Sequence, residues 1–140
     1  TPQPPKDGWQ AKNLIKKVDS GDQFFFTHTC LDMELLSSFM KKIGPTKILN
    51  KCYIVAGIAL LESTENAEWL RKNRPNVIIP NQIMNRLNEA KDQEAEGIKI
   101  CSEQINTVKK IPGISGVHII GLKKLENIPL AIRASINLDE

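Results

Sequence analysis

The segment Asn13–Asp32, with the sequence NLIKKVDSGDQFFFTHTCLD, is the most informative part of the chain for its fold. A basic helical pattern ends at Ser20 and Gly21, and the apolar run Phe24–Phe26 follows, leading into the polar cluster Thr27–Thr29. A strand that lies between helices and carries polar side chains at its carboxyl end is the repeating unit of parallel α/β proteins. In such proteins the carboxyl ends of the strands hold the ligands.

The rest of the chain repeats this alternation of helices and strands. We predict strands at Gln23–Cys30, Cys52–Ile58 and Gly116–Leu122. The second is an almost unbroken apolar run, which is typical of a strand covered on both faces. Strands separated by helices predict a parallel sheet with crossover connections. The predicted helices are Trp9–Val18, Asp32–Ile43, Ser63 or Thr64 to Asn73, Pro80–Ala90, Asp92–Ile111 and Leu125–Ile136.

The length of the chain suits one domain. It has 140 residues, of which 41% are hydrophobic and 25% charged, as in an ordinary globular core. We predict a Pro-rich lead-in at residues 1–8 and one domain at residues 9–140. A complete (βα)8 barrel needs about 250 residues. Because the chain also begins at Thr1 without an initiator Met, we expect half of such a barrel, as a fragment or as a complete subunit.

The net charge and the spacing of the cysteines exclude some classes of function from what we expect of this chain. The net charge is +3, and the basic residues are spread along the chain, so we expect no nucleic-acid partner. Cys30, Cys52 and Cys101 lie far apart in apolar runs, which predicts buried free thiols in a reducing compartment. The sequence shows no signal peptide and no apolar run of membrane-spanning length. We therefore predict a cytoplasmic protein with no membrane partner.

The order of these residues resembles the methylenetetrahydrofolate reductase family, which are flavin-dependent enzymes on a (βα)8 TIM-type barrel. The resemblance covers the chain from about Trp9 onward and implies parallel βα units that form the C-terminal half of the barrel, with its last three strands. Several short matches carry it together: Asn13, Lys17-Val18-Asp19, Gly21, Thr27, Asp32, Gly57-Ile58, Ile79-Pro80, Gly97-Ile98, Gly116-Val117-His118 and Leu122.

The resemblance implies FAD as the cofactor. In the family, the helix before the sixth strand offers an Asn and basic residues to the FAD diphosphate, and Asn13, Lys16 and Lys17 stand at the corresponding places. Cationic donors and an amide held on one helix suit a diphosphate. Without the resemblance, the Lys pair would be interpreted as the solvated face of an amphipathic helix. An acidic family position in this helix is Gln10 here, so the adenosine-side contacts are expected to differ.

The resemblance also implies a folate or related pterin at the end of the first predicted strand. The family has Thr-Gln followed by aromatics there, and the Gln hydrogen-bonds the pterin, whereas this chain has Thr27, His28 and Thr29. A neutral His offers one donor and one acceptor, but it cannot reproduce the paired donor and acceptor of an amide. We predict His28 as a substrate contact, and either a modified pterin or a lost activity would fit the replacement. The alternative is a His that only lines the top of the barrel.

Two further substrate-binding candidates, His118 and Leu122, stand at family positions near the flavin and the substrate. His118 alternates with apolar residues, so from the sequence alone a buried core histidine is the favoured interpretation. A family aromatic that packs on the substrate corresponds to Ser63 or Thr64 here.

The catalytic residues stay unknown at this point. In the family, the acid that protonates the substrate and an Asp near the flavin belong to early strands without a counterpart in this chain. Glu62 follows a strand end, but a solvated carboxylate at a helix start is the simpler interpretation. The spacing of His28, Cys30 and His118 does not require a metal, and none is predicted.

The resemblance implies part of a flavin-dependent oxidoreductase that reduces a methylene-tetrahydrofolate-type one-carbon carrier to the methyl form. NAD(P)H or another donor would reduce the FAD. A second interpretation is a non-catalytic half-barrel subunit that assembles with a partner chain. Exposed sheet edges invite pairing, so we expect an oligomer or a complex with the remaining half of the barrel. A third is a pterin-binding methyltransferase barrel, although such an enzyme needs no flavin diphosphate site.

Overall fold

Three parallel strands form a single sheet in the order β1-β2-β3. The structure, a computed structural model, describes residues 24–43, 52–74 and 76–138. The parallel βα units predicted for the C-terminal half of a TIM-type barrel are confirmed. The strands are β1 (Phe24–Thr29), β2 (Tyr53–Leu60) and β3 (Ile114–Gly121), and the helices are α1 (Met33–Ile43), α2 (Thr64–Asn73), α3 (Asn81–Glu89), α4 (Gln93–Lys109) and α5 (Asn127–Leu138).

Side-chain caps begin three of the helices where the sequence predicts them. Asp32, Ser63 and Asp92 each accept a hydrogen bond of 3.1 Å from the backbone N–H three residues further along the chain. These bonds satisfy donors that the first turn of a helix leaves without a partner. The capping residues therefore set the starts of α1, α2 and α4.

The strands β2 and β3 are longer than the sequence predicts, whereas β1 is shorter than the predicted Gln23–Cys30. β2 continues two residues beyond Ile58 because its last residue, Leu60, pairs with Gly121 of β3. β3 begins at Ile114, before the predicted Gly116. Gly113 has a φ of 93°, which turns the chain after α4 so that pairing starts at once.

One face of the sheet carries the core. Ile54, Ala56, Ile58 and Leu60 of β2 alternate into this face and are fully buried. Burial of such a row is the main stabilising contribution to the packing of the helices on the sheet. The first half of the row contacts α1 and the end of α4, and the second half contacts α4 and α5.

The opposite face of the sheet is open at the amino ends of the strands. Phe24, Phe26 and Tyr53 are 58%, 57% and 58% exposed. The predicted coverage of β2 on both faces therefore holds only for its second half, where Ala59 packs with residues of α2 and α3. An apolar run shows that a strand is suited to burial, but it does not show which segment covers it.

Some predicted features lie outside the described residues. These are the lead-in at 1–8, the helix Trp9–Val18 and the proposed cofactor contacts Asn13, Lys16 and Lys17. Within the described ranges, no helix is both long and apolar enough to cross a membrane. Cys30, Cys52 and Cys101 are buried free thiols, as predicted.

Candidate functional site

A cavity of about 540 Å³ lies at the carboxyl ends of β1 and β3. Its volume is within the range of small-molecule sites, and its position is where parallel α/β proteins bind ligands. The lining residues come from three places, namely the end of β1, the end of β3, and α2 with the turn that follows it. They are Thr27, His28, Thr29, Trp69, Leu70, Arg74, Asn76, Val77, His118, Ile120, Gly121 and Leu122.

The cavity brings together His28, His118 and Leu122, the three residues predicted to contact substrate. These residues are far apart in the sequence, and they meet because the parallel strands end at the same edge of the sheet. Their roles in binding stay predictions. Sequence reasoning missed the α2 side of the cavity, in particular Trp69 and Arg74.

A register shift between β1 and β2 positions His28. Phe26 pairs with Val55 and Thr29 with Gly57, so two residues of β1, Thr27 and His28, lie opposite one residue of β2. A bulge of this kind changes the direction of a side chain, and such bulges are common beside functional sites.

The bulge depends on Thr27 and Gly57. The Gly57 backbone N–H donates to Thr27 Oγ1 over 2.9 Å, and the Thr27 hydroxyl donates to the carbonyl oxygen of His28 over 3.0 Å. A Cβ at residue 57 would lie 3.0 Å from the Thr27 carbonyl oxygen. Glycine therefore allows the close approach of the two strands at this point.

His118 is exposed on the open face of the sheet, so the interpretation as a buried core histidine is wrong. Its ring meets Phe26 of β1 edge-on, with 6.2 Å between ring centroids and an interplanar angle of 82°. The residue that pairs with His118 on the intervening strand is Gly57, which has no side chain. The sequence alternation gave the correct face of β3 for this histidine, but that face is not covered by the described part of the chain.

The connection between α2 and α3 closes the third side of the cavity. The Leu31 N–H donates to the Ile78 carbonyl oxygen over 2.8 Å, and the Ile78 N–H donates to the Thr29 carbonyl oxygen over 3.1 Å. These bonds continue the carboxyl end of β1 into the connection. They place Arg74 and Asn76 beside the strand ends that carry His28.

Arg74 gives the cavity a cationic wall. Among the described residues that line the cavity, it is the one with a permanent charge, and none is Asp or Glu. A cavity with an arginine and no carboxylate favours an anionic ligand, because each opposite charge stabilises the other.

Glu62 has a structural contact outside the cavity. Its carboxylate accepts a hydrogen bond of 2.8 Å from the backbone N–H of Lys124, which ties the end of β2 to the loop after β3. Within the part of the chain that the structure describes, no group of three or more His, Cys, Asp or Glu residues is placed to hold a metal ion.

These features define a parallel α/β protein with a cavity at the carboxyl ends of its strands, as in a TIM-type barrel. The sequence profile of methylenetetrahydrofolate reductase matches residues 1–136, and the chain belongs to this family. The family resemblance seen in the sequence is thereby confirmed. No significant match is found among curated proteins.

A solved structure shares the fold. It is an uncharacterized protein from Clostridium thermocellum that binds two copies of 5-methyl-5,6,7,8-tetrahydrofolic acid. The two chains align with a TM-score of 0.67 and 16% sequence identity, over 94% of this chain and 48% of that one. The present chain therefore spans about half the length of this structural neighbour.

Proposed function

We propose that the chain is part of a flavin-dependent oxidoreductase that reduces a methylene-tetrahydrofolate-type carrier to the methyl form, and that the cavity holds the folate. The observation that carries this proposal is the meeting of His28, His118 and Leu122 in one cavity at the strand ends. Membership of the methylenetetrahydrofolate reductase family supports a folate-type ligand. The methyltetrahydrofolate bound by the structural neighbour supports it as well.

His28 is the residue that would recognise the pterin. It stands where the family has a Gln, and the bulge at Thr27 and His28 sets its position at the strand end. A neutral imidazole has one donor and one acceptor on different sides of the ring, so it can make a single hydrogen bond to one edge of a pterin. His118 and Leu122 would contact the rings of the bound molecules from β3.

FAD is the cofactor that this function requires, and it would supply the hydride when bound. A diphosphate needs more than one cation, while the described lining of the cavity holds only Arg74 as a permanent charge. This agrees with a diphosphate site elsewhere, and we assign it to Asn13, Lys16 and Lys17. NAD(P)H or another donor would reduce the flavin.

The proton that accompanies reduction needs a positioned acid. The described residues around the cavity include no Asp or Glu, and the Glu62 carboxylate is bonded to the Lys124 backbone. We therefore assign no catalytic residue in the described ranges and place the acid in another part of the barrel.

The open face of the sheet favours a second candidate function, a non-catalytic half-barrel subunit. The exposed rings of Phe24 and Tyr53 lie 5.3 Å apart and, together with Phe26, form an apolar surface that a partner chain could cover. On this interpretation the folate site would be kept without turnover.

The proposal is tested by titrating the full chain with FAD and following flavin fluorescence. We expect Lys17→Ala to weaken FAD binding by about tenfold, because a charge-assisted hydrogen bond to phosphate is lost. Lys42→Ala, at an exposed lysine of α1, is the matched control and should bind FAD like the wild type.

The reaction itself is followed by mixing the reduced flavoprotein with methylene-tetrahydrofolate without oxygen and measuring flavin oxidation and the methyl product. Both should appear if the chain, with its partner where one is needed, is a reductase. Folate binding without FAD binding or flavin oxidation would contradict the oxidoreductase and support the non-catalytic subunit.

A further inference from the structure

Trp69 is a large aromatic residue on the wall of the cavity to which the proposed function gives no role. It lies on α2 with 49% of its surface exposed, although Ala67 and Leu70 of the same helix are buried. Trp69 lines the 540 Å³ cavity and also an adjoining cavity of about 170 Å³, and Leu122 lines both as well. Trp69 therefore offers a flat apolar surface to anything that occupies this side of the site.

Ser63 and Thr64 are the candidates for the position at which the family has an aromatic residue that packs on the substrate, and neither can provide such a surface. The Ser63 hydroxyl oxygen accepts a hydrogen bond from Asn66 N, and the Thr64 N–H donates to Gln93 Oε1 over 3.0 Å. Both residues are thus engaged in starting α2 and joining it to α4. Trp69, one and a half turns further along α2, is the aromatic residue that the described lining of the cavity contains.

Arg74 follows Trp69 by five residues, at the end of α2, and lines the same cavity. Its backbone N–H closes the helix on the Leu70 carbonyl oxygen, while its guanidinium forms no ion pair with any described residue. A guanidinium in a cavity wall without a protein carboxylate is suited to a carboxylate of the ligand, which it can bind with two hydrogen bonds.

We propose that Trp69 and Arg74 bind the p-aminobenzoylglutamate half of a folate. Trp69 stacks on the benzoyl ring, and Arg74 pairs with a glutamate carboxylate, while the pterin lies at His28. This proposal rests on the proposed function of the cavity, and it adds which pterin compounds the cavity prefers. A folate has a benzoyl ring and carboxylates to match this wall, whereas a free pterin lacks both groups and would reach only the strand ends. The chain should therefore prefer folates to free pterins.

The test compares two ligands by isothermal titration of the full chain, 5-methyltetrahydrofolate and 5,6-dimethyltetrahydropterin, which lacks the tail. Trp69→Leu and Arg74→Gln should each weaken folate binding by about tenfold, in line with the loss of a stacked ring or of a charged hydrogen bond. Neither variant should change pterin binding by more than about twofold. The effect of Arg74→Gln should also diminish at high salt.

Two further variants distinguish the loss of a ligand contact from a loss of folding. Lys72→Gln removes an exposed cation from the same helix without touching the cavity and should bind both ligands like the wild type. Trp69→Phe keeps an aromatic ring and should retain most of the folate affinity. Equal folate binding by wild type, Trp69→Leu and Arg74→Gln would overturn the assignment of these residues and leave the folate site itself intact. Binding of neither ligand by the wild type would instead overturn the proposed function and this proposal with it.

Discussion

The backbone N–H of Gly57 donates a hydrogen bond to the hydroxyl oxygen of Thr27 over 2.9 Å, inside the buried join between β1 and β2. The bond replaces a ladder hydrogen bond at the point where the register of the two strands shifts. The same hydroxyl donates to the carbonyl oxygen of His28. One side chain therefore fixes the backbone on both sides of the bulge, and the position of His28 depends on it.

Replacement of Thr27 by Val should destabilise the protein and weaken ligand binding together. The substitution keeps the shape of the side chain but removes the acceptor of the buried Gly57 N–H. A buried donor without a partner lowers the free energy of unfolding by about 1–3 kcal/mol. Urea unfolding measures the stability, and titration with 5-methyltetrahydrofolate measures the binding. Thr27→Ser keeps the hydroxyl and should lose much less of both. A Val variant as stable as the wild type would show that the bond does not hold the bulge.

Gly97 marks a contact between α4 and the end of β2 that leaves no space for a side chain. A Cβ at this position would overlap the carbonyl oxygen of Leu61, which is backbone and cannot rotate away. We expect Gly97→Ala to lower the free energy of unfolding by about 3 kcal/mol or more, since α4 must move away from the sheet. The midpoint of urea unfolding reports this change.

The control for that substitution is Gly116→Ala on β3. A Cβ at residue 116 has no atom within 4 Å, so alanine should leave stability unchanged or raise it by about 0.5–1 kcal/mol. Similar losses for the two alanine variants would contradict the close packing of α4 against the end of β2.

Glu94 should make stability depend on pH. Asn127 and Lys124 donate to its carboxylate over 2.8 Å and 3.1 Å, and these bonds, first that of Asn127, hold the pKa of Glu94 below its ordinary value of 4.5. A carboxylate whose pKa is lower in the folded state stabilises the fold above its unfolded pKa. That contribution is lost as the pH falls through the folded pKa.

Urea unfolding of the wild type and Glu94→Gln at pH 7 and pH 3 measures this dependence. We expect the variant to be less stable than the wild type at pH 7 and the difference between them to shrink at pH 3. Glu89→Gln, at an exposed carboxylate on α3, is the control and should show no such change. If the difference in stability between the wild type and Glu94→Gln were the same at both pH values, Glu94 would not be the cause of the pH dependence.

The three cysteines should be inert in the folded protein. Burial raises the pKa of Cys30 to about 11 and that of Cys101 to about 12, and Cys52 is buried as well. Since the thiolate is the reactive form, a disulfide reagent at pH 8 should label no thiol before unfolding and all three in urea. Fast labelling of the native protein would contradict the burial of these side chains.

The sequence predicted those parts of the fold that depend on local chemistry. Asp32, Ser63 and Asp92 are capping residues whose function is confined to one helical turn, so the starts of their helices could be recognised. The bulge at His28 could not be recognised from the sequence, because the hydrogen bond that stabilises the bulge joins Thr27 and Gly57, which are 30 residues apart. No local pattern marks such a pairing.

The cavity contains the strand-end residues that were named as substrate contacts, whereas its α2 side, which depends on packing, was missed. His28, His118 and Leu122 were named from the family resemblance, and all three line the cavity at the carboxyl ends of the strands. Arg74 joins them where the connection around Ile78 hydrogen-bonds to the end of β1, and Trp69 joins them because α2 packs on the core. His118 was wrongly expected to be buried. The alternation of residues along a strand shows on which face a side chain lies, but it does not show whether another segment covers that face.

The proposed function requires that the cavity at the strand ends is a folate site in which His28 contacts the ligand. Isothermal titration of the full chain with 5-methyltetrahydrofolate tests it directly, with His28→Ala as the variant and Asn85→Ala, at an exposed position on α3, as the control. We predict that the wild type and Asn85→Ala bind equally well and that His28→Ala binds at least about tenfold more weakly. Equal binding by the wild type and His28→Ala, or no binding by the wild type, would contradict the claim.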